Sequence, residues 1–138
     1  MTDVSPPPWV YSDGGRAAAG FSGNADDCSA RSIAIALALP YERVHRELSR
    51  DMGISADYGM SQQAIHKYVF SYGWRWTQTT GMVSNSFYVH LREGQLPPGR
   101  IIARIPKHVT AVIDGVIHDT FDPSEGGHRG VIGYWSKK

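Results

Sequence analysis

Three side chains of this sequence have the types needed for nucleophilic catalysis: Cys28, which is the only cysteine of the chain, His108 and Asp119. A thiolate is a strong nucleophile, an imidazole can take and return its proton, and a carboxylate can fix the tautomer of the imidazole. Cys28 comes directly after the pair Asp26-Asp27, at the entrance to an apolar run. A cysteine at the start of a helix has a lowered pKa, because unpaired N–H groups and the helix dipole favour the thiolate.

The element that would carry this cysteine is a helix from about residue 28 to residue 39. Its second half has no polar residue on any face, which predicts a helix that is buried all round. Asp27 is placed to cap its first turn. We expect further helices to begin at Pro40 and near Ser61, and a short fourth helix within the stretch SNSFYVHLRE.

The last third of the chain is rich in β-branched residues and predicts antiparallel strands. Asp114-Gly115 lies between two such stretches and is a strong hairpin signal. With these two residues as the turn, side-chain alternation places His108, Thr110 and Asp119 on one face and His118 on the other. Asp119 then becomes the diagonal neighbour of His108, at about 7–8 Å between backbones. The sequence therefore predicts a carboxylate beside an imidazole on adjacent strands.

The order of these elements predicts an α+β fold in which N-terminal helices pack on a C-terminal antiparallel β-sheet. A length of 138 residues fits one domain that spans residues 1–138. We expect residues 1–8, which are polar and rich in proline, to form a loose arm. The Asp-Gly-Gly signal within residues 9–21 predicts a short hairpin.

Composition narrows the classes of protein. A net charge of +1 without a basic stripe argues against a nucleic-acid partner. We therefore expect four aromatic residues in the core or lining a groove: Trp74, Trp76, Tyr134 and Trp135. A single cysteine cannot form an internal disulfide, which favours a reducing compartment. Residues 33–39, the longest apolar run, fall short of the ~20 residues of a membrane helix. The first ten residues show no signal-peptide pattern. The sequence therefore predicts a cytoplasmic protein that has no membrane partner.

A cysteine at the start of a buried helix, followed by a histidine at a strand start and an aspartate on the next strand, resembles the papain-like cysteine peptidase superfamily. The stretches DDCSARSIAIALALPYERVH and HVTAVIDGVIHDTFDP are similar to small bacterial and phage proteins and to bacteriocin-processing peptidase domains of that superfamily. The resemblance implies a papain-like fold with Cys28 as nucleophile, His108 as general base and acid, and Asp119 as the orienting residue.

The activity that this resemblance implies is cleavage of an amide, peptide or isopeptide bond through a thioester, with no cofactor and with a protein or peptide as substrate. The location that it implies is the cytoplasm of a bacterium or of an infected host cell. The implied oxyanion hole combines the backbone N–H of Cys28 with an upstream side chain. Papain-like enzymes have Gln six residues before the cysteine, where this chain has Ser22. Asn24 is the nearest upstream amide, and it is the donor that we expect.

Other interpretations stay open. The missing upstream Gln suits a non-catalytic binding protein on the same fold, and transfer of the acyl group to an amine would make the same triad an acyltransferase. A metal site is disfavoured, because the hairpin splits its candidate ligands between two faces and no short ligand spacing exists. Those ligands would be His108, His118, Asp119 and Asp122. If both residues have only structural roles, Cys28 is a buried apolar residue and His108 is an ordinary histidine on a strand.

Overall fold

The computed structural model describes residues 4–23, 25–80 and 87–137 and shows an α+β fold, with a six-stranded mixed sheet and three α-helices in these ranges. The helices are α1 (Cys28–Leu37), α2 (Tyr41–Arg46) and α3 (Gln62–Phe70). The strands are β1 (Trp9–Tyr11), β2 (Trp74–Gln78), β3 (Arg100–Ile105), β4 (His108–Ile113), β5 (Val116–Asp119) and β6 (Gly133–Lys137). A π-helical turn at Glu47–Asp51 extends α2, and a 3-10 turn spans Glu125–Gly127.

The spatial order of the sheet is β1-β5-β4-β3-β6-β2. All neighbours are antiparallel except β1 and β5, which run parallel. The expectation of a purely antiparallel C-terminal sheet is therefore wrong at one edge, where an N-terminal strand joins it. One face of the sheet packs on the helices through a core that includes Ile102, Val109 and Trp135. The other face is covered by the segment that contains Leu91 and Val131.

The predicted burial of α1 on every face is wrong, because Ile35 and Leu37 are only half-buried. The helix nevertheless lies in the helical core. Ile33, Ala34 and Ala36 are buried in it. The helix ends at Leu37, two residues before the predicted end, because Ala38 adopts the left-handed conformation; Pro40 then opens α2.

Asp27 occupies the N-cap position of α1, but its side chain makes no capping hydrogen bond. The carboxylate is buried, and its partners are the guanidinium of Arg31, the hydroxyl of Tyr41 at 2.6 Å and Nε of Arg16 at 3.2 Å. The predicted side-chain cap is therefore wrong, because two cations and a phenol compete successfully for the same oxygens. Asp27 ties the loop before α1 and the start of α2 to the first turns of α1.

The β4–β5 hairpin has the predicted register. Ile113 lies opposite Val116 and Ala111 lies opposite His118, with Asp114-Gly115 as the turn. The paired ladder ends at Ala111 and His118, so the first three residues of β4 extend beyond it.

Two expectations for the N-terminal segment are wrong. Residues 9–21 do not form a hairpin; Trp9–Tyr11 pairs with β5 instead, and a series of turns follows. Residues 4–8 are not loose, since the carbonyl of Ser5 accepts from the N–H of Glu93 at 2.9 Å and that of Pro8 from the N–H of Ile117 at 2.8 Å. Residues 1–3 lie outside the described ranges.

The expected fourth helix is also wrong where the chain is described, from residue 87 onward; residues 84–86 lie outside the described ranges. Phe87, Val89 and Leu91 alternate with polar or exposed positions, and that period suits extended chain better than a helix. The N–H of Leu91 donates to the carbonyl of Arg129 at 2.8 Å, and the carbonyl of Val89 accepts from Val131 at 2.8 Å. None of the helices in the described ranges has the length and apolar content needed to cross a membrane.

Replacing Asp27 with alanine should lower the free energy of unfolding by about 3 kcal/mol, because two partly buried arginines lose their shared counter-charge. Urea unfolding followed by tryptophan fluorescence measures the change. Asp26→Ala removes the same charge from the exposed neighbouring position and should change the free energy by less than about 0.5 kcal/mol. Equal effects of the two substitutions would contradict the role given to Asp27.

Candidate active site

Cys28 and His108 come together because α1 and β4 begin beside each other. Cys28 is the first residue of α1 and His108 is the first residue of β4. One turn after Cys28, the buried hydroxyl of Ser32 donates to the carbonyl of Val109 at 3.1 Å. Val109 lies before the β4–β5 ladder begins, so its carbonyl is not used by β5. This hydrogen bond fixes the first turn of α1 against the first residues of β4.

The His108 imidazole is held by Asp119, as the hairpin register predicts. Nε2 of His108 lies 2.8 Å from Oδ2 of Asp119, and the Thr110 hydroxyl donates to the same oxygen at 2.7 Å. The N–H of Thr120 donates to Oδ1 at 2.7 Å. The Asp119 side chain is only 4% exposed. Because Nε2 is engaged, Nδ1 is the ring nitrogen left for Cys28.

The pKa of the Cys28 thiol is lowered, although burial acts in the opposite direction and is the largest single influence on it. Hydrogen bonds from His108 and from the backbone N–H of Val109 stabilise the thiolate, and the positive charges of His108 and Arg31 add to this. Together these contacts outweigh the burial. Cys28 therefore holds a larger fraction of thiolate at neutral pH than an ordinary cysteine does.

Burial alone would lower the pKa of His108, because desolvation disfavours the imidazolium. Hydrogen bonds to Asp119 and Cys28, with the negative charges of both, outweigh it and raise the pKa of His108 to about 9. For Asp119, burial acts to raise the pKa, but hydrogen bonds from His108, Thr110 and Thr120 give a net lowering. At neutral pH the pair is therefore an imidazolium against a carboxylate.

Arg31 adds a contact that the sequence did not reveal. Its guanidinium pairs with Asp27, and its Nη2 also lies 3.9 Å from Oδ1 of Asp119. Arg31 thus connects the buried carboxylate at the helix start with the carboxylate that holds His108. The spacing of Asp27 and Arg31, four residues apart on a helix, was the signal for the first contact only.

The ring of Phe121 packs beside the imidazole. Its ring centroid lies 5.1 Å from that of His108, and the side chain is half exposed. Side-chain alternation along the hairpin gives no indication that these two rings would be in contact.

Of the remaining sequence candidates, Asp122 and His118 do not join these side chains. Asn24, the expected oxyanion donor, lies outside the described residues. Asp122 uses Oδ1 to accept from the N–H of Ser124 at 2.9 Å. The pKa of His118 is lowered by burial and by the charge of Arg100, and no contact with the site is seen. Within the described ranges, no three His, Cys, Asp or Glu side chains are grouped so that they could hold a metal ion.

Comparisons with known proteins give no match to this chain, whether with a family model, a curated protein or a solved structure.

The contacts of Cys28 predict fast alkylation by iodoacetamide at neutral pH, with a rate that rises at lower pH than for an ordinary thiol, because the thiol pKa is lowered. In His108→Ala the hydrogen bond and the charge of the imidazolium are lost, so the rise should move to higher pH. Mass spectrometry of the peptide that contains Cys28 measures the rate at each pH. His66→Ala, which replaces a histidine on α3, is the matched control and should leave the profile unchanged. Identical profiles for wild type and His108→Ala would contradict the assigned contact.

Proposed function

We propose that this protein is a papain-like cysteine hydrolase that cleaves an amide, peptide or isopeptide bond through a thioester on Cys28. The observation that carries the proposal is that the Cys28 thiol and the His108 imidazole line one pocket, while Nε2 of this imidazole is fixed by a buried carboxylate. In this proposal the three groups take the roles that nucleophilic catalysis requires, which are those of nucleophile, general base and orienting carboxylate.

In the first half of the proposed reaction, the Cys28 thiolate attacks the substrate carbonyl carbon. A C–S bond forms, and the carbonyl π electrons move to the oxygen. When the tetrahedral intermediate collapses, the bond to the leaving amine breaks and His108 gives its proton to that amine. The products are a thioester on Cys28 and the released amine, with His108 now neutral.

In the second half, neutral His108 takes a proton from water while the water oxygen attacks the thioester carbonyl. Collapse of this intermediate breaks the C–S bond, releases the carboxylic acid and returns the thiolate–imidazolium pair. Asp119 stays ionised throughout, and its hydrogen bonds from Thr110 and Thr120 hold it in place while the ring changes charge.

The first turn of α1 supports the oxyanion in this proposal. Helix N-termini carry N–H groups without intrahelical partners, and the N–H of Cys28 is one of them. An oxyanion donor of this kind is typically worth ~10²–10³ in rate.

The papain-like architecture is supported by the order and the packing of the elements. A buried helix with the cysteine at its start packs on antiparallel strands that carry the histidine and the aspartate. The parallel strand β1 at the sheet edge is an addition to the arrangement expected from the sequence.

An activated ester such as p-nitrophenyl acetate tests the nucleophile without knowledge of the natural substrate. Wild-type protein should release nitrophenolate in a burst and gain an acetyl group on Cys28, seen by mass spectrometry after acid quenching. Cys28→Ala should show neither. An added amine acceptor that is acetylated faster than the ester is hydrolysed would indicate an acyltransferase, and the absence of acetyl-Cys28 would contradict the proposal.

Asp119→Asn should lower the rate of acyl transfer by roughly 10²-fold, because the imidazolium loses its counter-charge and the ring loses its fixed tautomer. The burst assay above measures the rate. Asp122→Asn, a change of the same kind at an exposed position, should retain the wild-type rate. A rate in Asp119→Asn within about twofold of wild type would remove Asp119 from the mechanism, since a twofold change is below ~0.5 kcal/mol.

A further inference from the structure

A small pocket opens beside the thiol and the imidazole. Its volume is about 170 Å³, below the ~300–1,000 Å³ of typical small-molecule sites. It has room for one substrate side chain or a chain end rather than for a whole ligand. The residues that line it are Cys28, Ser29, Gly59, Met60, Arg104, Lys107, His108 and Val109.

Apart from the Cys28 thiolate, which faces the His108 imidazolium, the charges on the wall of this pocket are positive. Arg104 and Lys107 contribute cationic side chains, and none of the lining residues is acidic. Within the described part of the chain, neither of the two forms an ion pair. Ser29 is already engaged, since its hydroxyl accepts from the N–H of Met60 at 3.3 Å. The pocket therefore presents two positive charges whose counter-charge the described protein does not supply.

The placement of both cations is fixed by the β3–β4 hairpin. Arg104 lies two residues after the buried Ile102, so its side chain leaves the sheet on the face that the helices cover. Lys107 is in the two-residue turn between Ile105 and His108 and has a φ of 65°. Glycine or asparagine is usual at such a position, and another residue there costs on the order of 1 kcal/mol. A strained lysine directly before His108 fits a functional rather than a structural choice.

A contact with Arg129 also stabilises the turn between β3 and β4. The guanidinium of Arg129 donates to the carbonyl of Pro106, which precedes Lys107. The Arg129 side chain is itself paired with Glu125 at 3.3 Å. The backbone that presents Lys107 to the pocket is therefore held by a contact that leaves the lysine side chain unused.

We propose that this pocket binds a carboxylate of the substrate next to the bond that Cys28 attacks, so that the enzyme selects acidic substrates. The inference rests on the proposed function. It names the substrate class, which is an amide whose neighbouring group carries a negative charge, either an acidic side chain or a free terminal carboxylate. Paired cations in a partly enclosed pocket favour a carboxylate by charge-assisted hydrogen bonds.

Two alkylating probes of nearly equal size test this preference directly. Iodoacetate carries a carboxylate and iodoacetamide does not. With either, the thiolate sulfur forms a bond to the methylene carbon and iodide leaves. For each thiol, the rate with iodoacetate is divided by the rate with iodoacetamide. If two cations attract the anion, this ratio should be roughly fivefold higher for the protein than for N-acetylcysteine amide.

Variants separate the pocket from the imidazolium, which also attracts anions. Arg104→Gln combined with Lys107→Asn should lower the iodoacetate-to-iodoacetamide ratio roughly fivefold. The ratio cancels any change in the reactivity of the thiol itself. Asparagine suits the left-handed conformation of residue 107. The control, Arg50→Gln with Lys67→Gln, removes two exposed cations that do not line the pocket and should keep the wild-type ratio.

Chloroacetylated amino acids distinguish the two sources of the carboxylate. Faster labelling by chloroacetyl-glutamate amide than by its glutamine counterpart would indicate an acidic side chain. Faster labelling by chloroacetyl-glycine than by its amide would indicate a chain terminus. No preference in either pair would overturn the proposal.

The failure of the pocket and the failure of the proposed function give different results. Slow iodoacetamide labelling that does not depend on His108 would overturn the proposed function. Fast, His108-dependent labelling with the same ratio in wild type, pocket variant and control would overturn the carboxylate pocket alone. Should the pocket variant fail to fold, the wild-type ratio at low and high salt decides the question. The ratio should fall at high salt, because screening weakens the interactions of exposed charges. A ratio close to that of N-acetylcysteine amide at both salt concentrations would overturn the proposal.

Discussion

The contact between His108 and the buried carboxylate of Asp119 is the interaction on which the candidate site depends. A carboxylate that is 4% exposed needs a counter-charge and hydrogen bonds, and the imidazolium, Thr110 and the N–H of Thr120 provide them. The same contact keeps His108 positive at neutral pH, and that charge in turn favours the thiolate of Cys28. The pKa of the Cys28 thiol therefore depends, through His108, on the Asp119 carboxylate of the sheet.

A second buried carboxylate links this contact to the packing of the fold. Asp27 binds Arg31, and Arg31 reaches towards Asp119, so the first turns of α1 are tied electrostatically to the end of β5. Ser32 ties the same helix to β4 through the carbonyl of Val109. Because of these contacts, the position of Cys28 relative to His108 is held by α1 itself as well as by the loop that precedes it. The stability of the fold and the geometry of the site therefore share the same residues.

The predictions from sequence succeeded where the signal was local. Asp114-Gly115 fixed the hairpin register, and alternation then placed Asp119 beside His108. The parallel pairing of β1 with β5 was missed, because Trp9 and Ile117 are far apart in the chain and no turn connects them. The second contact of Arg31 was missed for the same reason, since i,i+4 spacing shows only partners on the same helix. The pocket with Arg104 and Lys107 depends on three separate segments and has no signature in any one of them.

The most direct test of the central claim is the titration of the His108 ring by nitrogen NMR, with the signal assigned by its loss in His108→Gln. The structure predicts that the ring stays doubly protonated through neutral pH and loses its proton only near pH 9, and at a lower pH in Asp119→Asn. A titration near the ordinary histidine value of 6.5 that is unchanged in Asp119→Asn and in Cys28→Ser would contradict the thiolate–imidazolium–carboxylate account.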